Sequence, residues 1–70
     1  MAKSKDVLND RELAVLKLVK EGNRTRAIAS MIFMSEATVK RHIRDIIEKL
    51  DADTLPQAVA KAYQLRIFRV

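Results

Sequence analysis

Apolar residues recur at helical spacing in four stretches of the chain. In the first stretch Val19 lies four positions after Val15 and three after Leu16, so the three residues share one helical face. Asn9 and Glu12 form a capping-box pattern at its start, in which each side chain can accept a hydrogen bond from the backbone of the other residue. Gly22 suits the left-handed position at which a helix ends. These features predict a first helix over about residues 10–21.

The second stretch is shorter and begins less favourably. Its apolar face consists of Ile28, Ala29 and Ile32. This face predicts a helix over about residues 25–31, but its start lacks the pairing of Ser, Thr, Asp or Asn with Glu or Gln three residues later. Arg24 and Arg26 also place positive charge at the positive end of the helix dipole. Phosphate groups nearby would explain both arginines.

The third stretch has the most regular pattern. Its apolar residues follow one another at intervals of four, three, one and three positions: Val39, Ile43, Ile46, Ile47 and Leu50. Ser35 is a suitable N-cap, and Glu36 suits the positive end of the dipole. The pattern predicts a helix over about residues 36–49 with one buried stripe. On its outward face the small side chain of Ala37 is surrounded by three cations: Lys40, Arg41 and Arg44.

The fourth stretch opens with a second capping-box pattern, formed by Thr54 and Gln57, and Pro56 lies in its first turn, where a missing N–H costs nothing. Small and apolar residues give this stretch one apolar side: Ala58, Val59, Ala62 and Tyr63. A helix is predicted over about residues 55–65. Together the four helices predict an all-α, compact four-helix bundle over residues 8–70, preceded by a flexible N-terminal tail over residues 1–7.

Composition excludes several classes of protein. With 70 residues the chain forms one small domain, and with no cysteine and one histidine it has no disulfide, thiolate zinc site or histidine cluster. No nucleophile pairs with a base in the pattern, so we expect no enzymatic activity, no cofactor and no small-molecule ligand. The longest nearly apolar run, residues 27–34, is far shorter than the ~20 residues of a membrane span. The basic N-terminal residues have no apolar stretch behind them, so we do not expect them to form a signal peptide. We expect no membrane partner and a cytoplasmic location.

Positive charge is concentrated in the middle of the chain. The net charge is +5, and residues 23–49 contribute six basic and three acidic residues, a net +3. The second and third helices are joined by only three residues, which predicts a helix-turn-helix over about residues 25–44. In this motif the second helix enters the major groove of DNA, where Arg and Lys read guanine. Lys40, Arg41 and Arg44 are therefore the candidate base-reading residues.

These residues resemble a known family. The motifs are Leu8-x-x-Arg11-Glu12, then Ile28-Ala29, then Ser35-Glu36-x-Thr38-Val39-Lys40-x-His42-Ile43, and finally Ile46-x-x-Lys49-Leu50 with Ala58-Val59. They are similar to the LuxR/FixJ/GerE-type DNA-binding domain over about residues 8–67. The resemblance implies a four-helix bundle whose third helix reads DNA and whose fourth helix often forms a dimer contact. Because little of the chain precedes the motifs, it is most similar to the stand-alone GerE form.

The resemblance also implies individual roles. Lys40, Arg41 and Arg44 match the family's base-reading positions. The positions that match phosphate contacts are Arg24, Arg26, Thr38 and Lys49. The residues that match the dimer contact are Leu55, Val59, Ala62 and Tyr63, and a homodimer on double-stranded DNA is expected. The chain departs from the family in three places: Arg24-Thr25-Arg26-Ala27 replaces Ser-Asn-Lys-Glu, Asp51 replaces a usual Gly, and Leu55 replaces a commonly polar residue.

Simpler interpretations stay open for several of these residues. The cations can be ordinary solvated charges, the small-residue side of the fourth helix can be intramolecular core, and His42 fits a packed, hydrogen-bonded structural role. A different class of function is also open: a protein-interaction module that docks on RNA polymerase or another regulator. Its contacts would be the apolar residues Leu13, Phe33, Leu55 and the Ile67-Phe68 tail.

Overall fold

The computed structural model describes residues 7–68. Four helices follow one another along the chain: α1 (Asp10–Lys20), α2 (Thr25–Met31), α3 (Glu36–Lys49) and α4 (Leu55–Gln64). Residues 7–68 contain no β-strand, so the all-α prediction is confirmed. The helices α2 and α3 have the predicted bounds, whereas α1 and α4 end one residue early because Glu21 and Leu65 are their C-caps.

The predicted N-terminal tail lies outside the described residues except for Val7, which packs against the hydrophobic core. Residues 69 and 70, the end of the predicted domain, also lie outside the described part of the chain.

The starts of α1 and α3 are fixed by the side chains that the sequence predicts. Asn9 Oδ1 accepts the Glu12 N–H at 2.8 Å, and Glu12 Oε1 accepts the Asn9 N–H at 3.0 Å, which completes the capping box. Ser35 Oγ accepts the Thr38 N–H at 3.1 Å. Each bond satisfies a backbone donor that the first helical turn leaves free.

The other two helices begin differently. Thr54 Oγ1 accepts the Gln57 N–H at 3.3 Å, but the Gln57 side chain accepts from the Asp53 N–H rather than from Thr54. The second hydrogen bond of the predicted capping box is therefore made to the backbone of Asp53, one residue before Thr54. Arg24, the N-cap of α2, makes no side-chain capping bond, which agrees with the weak start seen in the sequence.

All four helices end with a residue in the left-handed conformation. These residues are Gly22, Phe33, Asp51 and Arg66, with φ of 96°, 57°, 54° and 59°. In each case the next amide donates to the carbonyl five positions earlier: Asn23 to Leu18, Met34 to Ala29, Ala52 to Ile47 and Ile67 to Ala62. This is the return bond of the Schellman motif. At three of the four ends it is made without glycine, which the sequence pattern did not predict.

The hydrophobic core is built around α3, because α1, α2 and α4 each pack against this helix. Val39 and Ile46 of α3 have no exposed surface. They belong to a cluster of buried side chains drawn from every helix: Leu8, Val15, Leu16, Ile28, Ala29, Leu50, Ala58, Ala62, Ile67 and Phe68. The predicted apolar stripe thus holds α3 on one side only.

The C-terminal segment completes this core. Ile67 is 3% exposed and Phe68 is 4% exposed. The Phe68 ring meets the Tyr63 ring edge-on at 4.9 Å, and the Lys20 ammonium lies 5.4 Å from its centroid. The expectation that Ile67 and Phe68 offer a docking surface is therefore wrong, since the left-handed Arg66 turns both side chains back onto the bundle.

One buried ion pair links α1 to α3. The Glu12 side chain is 3% exposed, and its Oε1 accepts from the Lys49 ammonium at 2.8 Å as well as from the Asn9 amide. The Lys49 side chain remains 42% exposed. Glu12 therefore caps α1 and fixes α1 on α3 with the same oxygen.

The ion pair makes a testable contribution to stability. Lys49→Met keeps the aliphatic stem but leaves the Glu12 carboxylate buried without its cation. We expect the free energy of unfolding to fall by about 1–3 kcal/mol in urea denaturation, less than for a fully buried pair because Lys49 is half-exposed. In a Glu12→Gln background, Lys49→Met should lower the free energy of unfolding by much less. Equal costs in the two backgrounds would show that the pair does not couple the helices.

Phe33 carries a conformational cost that its side chain does not offset by packing. Its side chain is 95% exposed, so it gains no burial, and its φ of 57° is unfavourable for an aromatic residue. We expect Phe33→Gly to be more stable than Phe33→Ala by about 0.5–1 kcal/mol, because both remove the ring and only glycine relieves the backbone. Thermal melts of the two variants measure this difference, and equal stabilities would contradict the assigned strain.

Candidate nucleic-acid interface

The cations of α3 lie together on the side that the core does not use. Lys40, Arg41 and Arg44 are all exposed, and none of them forms an ion pair within residues 7–68. Together with Ala37 and Thr38 they line one open hollow of about 430 Å³. The structure thus brings the three predicted base-reading residues together on one face of α3.

The first turn of α3 is held in place beneath this surface. Ser35 Oγ accepts a hydrogen bond from the Thr38 backbone N–H. The Ser35 hydroxyl donates a second hydrogen bond to Thr38 Oγ1 at 2.9 Å. Ser35 is therefore the N-cap that the sequence predicts. Because Thr38 is half-buried and bonded to Ser35, its side chain forms a fixed edge of the hollow.

The electrostatics of the surface favour an anionic or acceptor-rich ligand. Three cations without an ion-pair partner in the described part of the chain surround the hollow, and the free amides at the start of a helix add positive potential at the same end. The lining offers donors from Lys40, Arg41, Arg44 and the Thr38 hydroxyl, but no carboxylate. Such a surface suits the acceptors of phosphates and guanine edges.

The predicted phosphate contacts are distributed over the fold. Arg24 and Arg26 are exposed in the first turn of α2 and do not line the hollow of α3. Thr38 does line it. Lys49 does not, and its ammonium is bound to the buried Glu12. The sequence offered no signal for this ion pair, because 37 residues separate its partners.

His42 lies beside the same ion pair. His42, Glu12 and Asp45 each bring a possible metal-ligand atom within 4.8 Å of the others, and His42 Nδ1 is buried without a hydrogen-bond partner. The histidine is thus packed as expected, but the expected hydrogen bond is absent at Nδ1. The Lys49 ammonium already supplies a positive charge at Glu12, through the ion pair between α1 and α3.

The predicted dimer residues differ in exposure. Leu55 and Val59 are half-buried, and Tyr63 is 49% exposed. Ala62 has no exposed surface and belongs to the core, so it offers nothing to a second copy of the folded chain. Leu65, which follows α4, adds an apolar side chain that is 39% exposed.

Among the described residues, no helix has the length and apolar character that crossing a membrane requires.

Comparison with known proteins gives the family. The model of the bacterial regulatory proteins of the luxR family matches residues 6–62. The spore germination protein GerE of Bacillus subtilis is 37% identical over 62 residues, which make up 89% of this chain and 84% of GerE. A homologue of the nitrate/nitrite response regulator protein in Haemophilus influenzae is 46% identical over 46 residues, 66% of this chain and 22% of that protein.

A solved structure agrees with these relatives. The crystal structure of the response regulator ChrA of a heme-sensing two-component system superposes with a TM-score of 0.83 at 38% identity, covering 87% of this chain and 30% of the ChrA chain. The chain spans about a quarter of the length of the longer relatives that it matches. This chain belongs to the LuxR family of bacterial regulatory proteins, as a GerE-type helix-turn-helix DNA-binding domain of a transcriptional regulator.

Proposed function

We propose that this chain regulates transcription by inserting α3 into the major groove of duplex DNA and reading its sequence there. The observation that carries the proposal is the hollow on α3, where Lys40, Arg41 and Arg44 are exposed and unpaired among residues 7–68. A recognition helix reads base edges with its N-terminal residues. Lys40 and Arg41 lie in the N-terminal half of α3, and Arg44 follows on the same face, one turn after Lys40 and Arg41. Such a regulator acts in the cytoplasm, where bacterial DNA lies.

The three cations act as base readers in this proposal. Guanine offers two acceptors, O6 and N7, to the major groove, and arginine or lysine binds both of them. Because the buried stripe fixes the opposite side of α3, the cations approach the groove from a defined direction. We therefore expect guanines in the preferred half-site.

Phosphate contacts position the domain on the duplex. We assign them to Arg24 and Arg26, which extend from the uncapped start of α2, and to Thr38 at the edge of the hollow. An anion beside α2 would offset the unfavourable charge of the two arginines at the helix N-terminus. Lys49 contributes only through the part of its ammonium that Glu12 leaves free.

Binding as a homodimer through α4 is part of the proposal. Leu55, Val59 and Tyr63 lie four residues apart and form a partly exposed apolar face of α4. A domain of this size without disulfides or metal gains stability from such a contact. A dimer of helix-turn-helix domains reads two half-sites that lie about one helical turn apart.

A second candidate function is docking on RNA polymerase or another regulator. The observation that favours it is Phe33, which is 95% exposed beside Met31, which is 54% exposed. Duplex binding that weakens steeply with salt supports the DNA proposal, because binding to phosphates releases counterions. A docking module would show weak duplex binding with a flat salt dependence.

Alanine substitutions test the base readers. On a duplex selected from a random library, Arg41→Ala should cost about 1–3 kcal/mol of binding free energy and relax the preference at one base pair. Lys20→Ala removes the same charge beside Phe68, away from α3, and should leave the preference unchanged. Fluorescence anisotropy on the selected and a scrambled duplex measures both effects. If Arg41→Ala lost the same binding free energy on the selected and the scrambled duplex, Arg41 would not be a base-reading residue.

The phosphate contacts have a different expected result. Arg24→Ala should weaken selected and scrambled duplexes alike and lower the slope of log affinity against log salt by about 1. A loss confined to the selected duplex would instead make Arg24 a reader of sequence.

The dimer is tested by charge on α4. Tyr63→Glu should shift the protein from dimer to monomer in sedimentation equilibrium, because it places a carboxylate in the apolar contact. Gln64→Glu adds the same charge at the next, exposed position and should leave the dimer intact. A wild-type protein that is monomeric both free and on DNA would contradict this part of the proposal.

A further inference from the structure

We propose that Ala37 makes this domain a reader of the 5-methyl group of thymine, next to guanines read by the surrounding cations. This inference rests on the proposed function and specifies which base the hollow on α3 selects. The observation behind it is that Ala37 is the one lining residue without a polar side-chain atom.

The position of Ala37 follows from helix geometry. Residues three, four and seven positions apart share one face of a helix, so Lys40, Arg41 and Arg44 lie on the face of Ala37. Ala37 is exposed in the first turn of α3, which is the end that meets base edges. Its Cβ therefore forms an apolar floor between longer, charged side chains.

A small side chain at this position determines how closely α3 approaches the bases. The three cations are long and can extend around a base pair, whereas Ala37 reaches no further than its methyl group. The base edge that lies over Ala37 is consequently in van der Waals contact with Cβ and receives no hydrogen bond from it.

Thymine is the base that fits this environment. Its major-groove edge has a methyl group beside one acceptor, O4, so the methyl can lie on Cβ while a neighbouring cation donates to O4. Cytosine has a hydrogen in place of this methyl group and an amino donor in place of O4, and adenine presents an amino donor beside N7, so neither offers both a methyl for Cβ and an acceptor beside it for the cation. Guanine has only acceptors and suits the cations on either side.

Deoxyuridine provides the direct test, because it differs from thymidine only by the missing methyl group. The half-site is first selected from a random duplex library, and each thymine in it is then replaced singly by deoxyuridine. At one thymine position the wild-type affinity should fall about fourfold, the value of one buried methyl-sized group. In Ala37→Gly this difference should disappear, since the protein methyl that the thymine contacts is gone.

Ala60→Gly is the matched control. Ala60 is exposed in α4, so its replacement imposes a similar helix penalty and should preserve the fourfold effect of deoxyuridine. Thermal melts of both variants establish that they are folded at the temperature of the binding assay.

The outcomes separate this inference from the function on which it rests. A selected half-site without thymine, no sensitivity to deoxyuridine, or the same sensitivity in Ala37→Gly as in wild type would each overturn the role of Ala37 and leave sequence-specific binding intact. Failure to select any sequence would overturn the proposed function and the inference together.

Discussion

The packing of α3 is the constraint on which the rest of the structure depends. Each of the other helices contacts α3, and its buried stripe, led by Val39 and Ile46, leaves no freedom to rotate about its axis. The Glu12–Lys49 ion pair adds a directional contact to this apolar packing. Since one side of α3 is fixed, the direction in which the opposite side faces is fixed as well, and this side carries the three cations.

Two local costs in the fold lie in the helix-turn-helix. The start of α2 lacks a side-chain cap and carries two arginines, and the turn before α3 contains an exposed phenylalanine in the left-handed conformation. The other helices are capped by Asn9, Ser35 and Thr54, although Asp51 and Arg66 also take the left-handed conformation. Departures from local preference are expected at functional sites. Here they flank the surface that we propose binds DNA.

Much of the fold could be predicted because it depends on local chemistry. The caps Asn9 and Ser35 and the period of the apolar residues give the starts and faces of the helices. The features that could not be predicted are of two kinds. Some are contacts between residues that are distant in sequence, and others are left-handed backbone conformations at residue types that rarely adopt them. Glu12 and Lys49 meet only once α1 is packed on α3, and Phe33, Asp51 and Arg66 take a conformation that usually indicates glycine. The alternative docking module included Ile67 and Phe68 among its contacts, whereas Arg66 turns both side chains into the core.

The central claim is that the cationic face of α3 selects a DNA sequence. The most direct measurement is selection of a random duplex library by the wild-type protein and by the Lys40→Ala/Arg41→Ala/Arg44→Ala variant in parallel, followed by sequencing of the retained duplexes. We expect the wild type to enrich a guanine-containing half-site and the folded variant to enrich none. No enrichment by the wild type at low salt, or the same half-site enriched by both proteins, would contradict the claim.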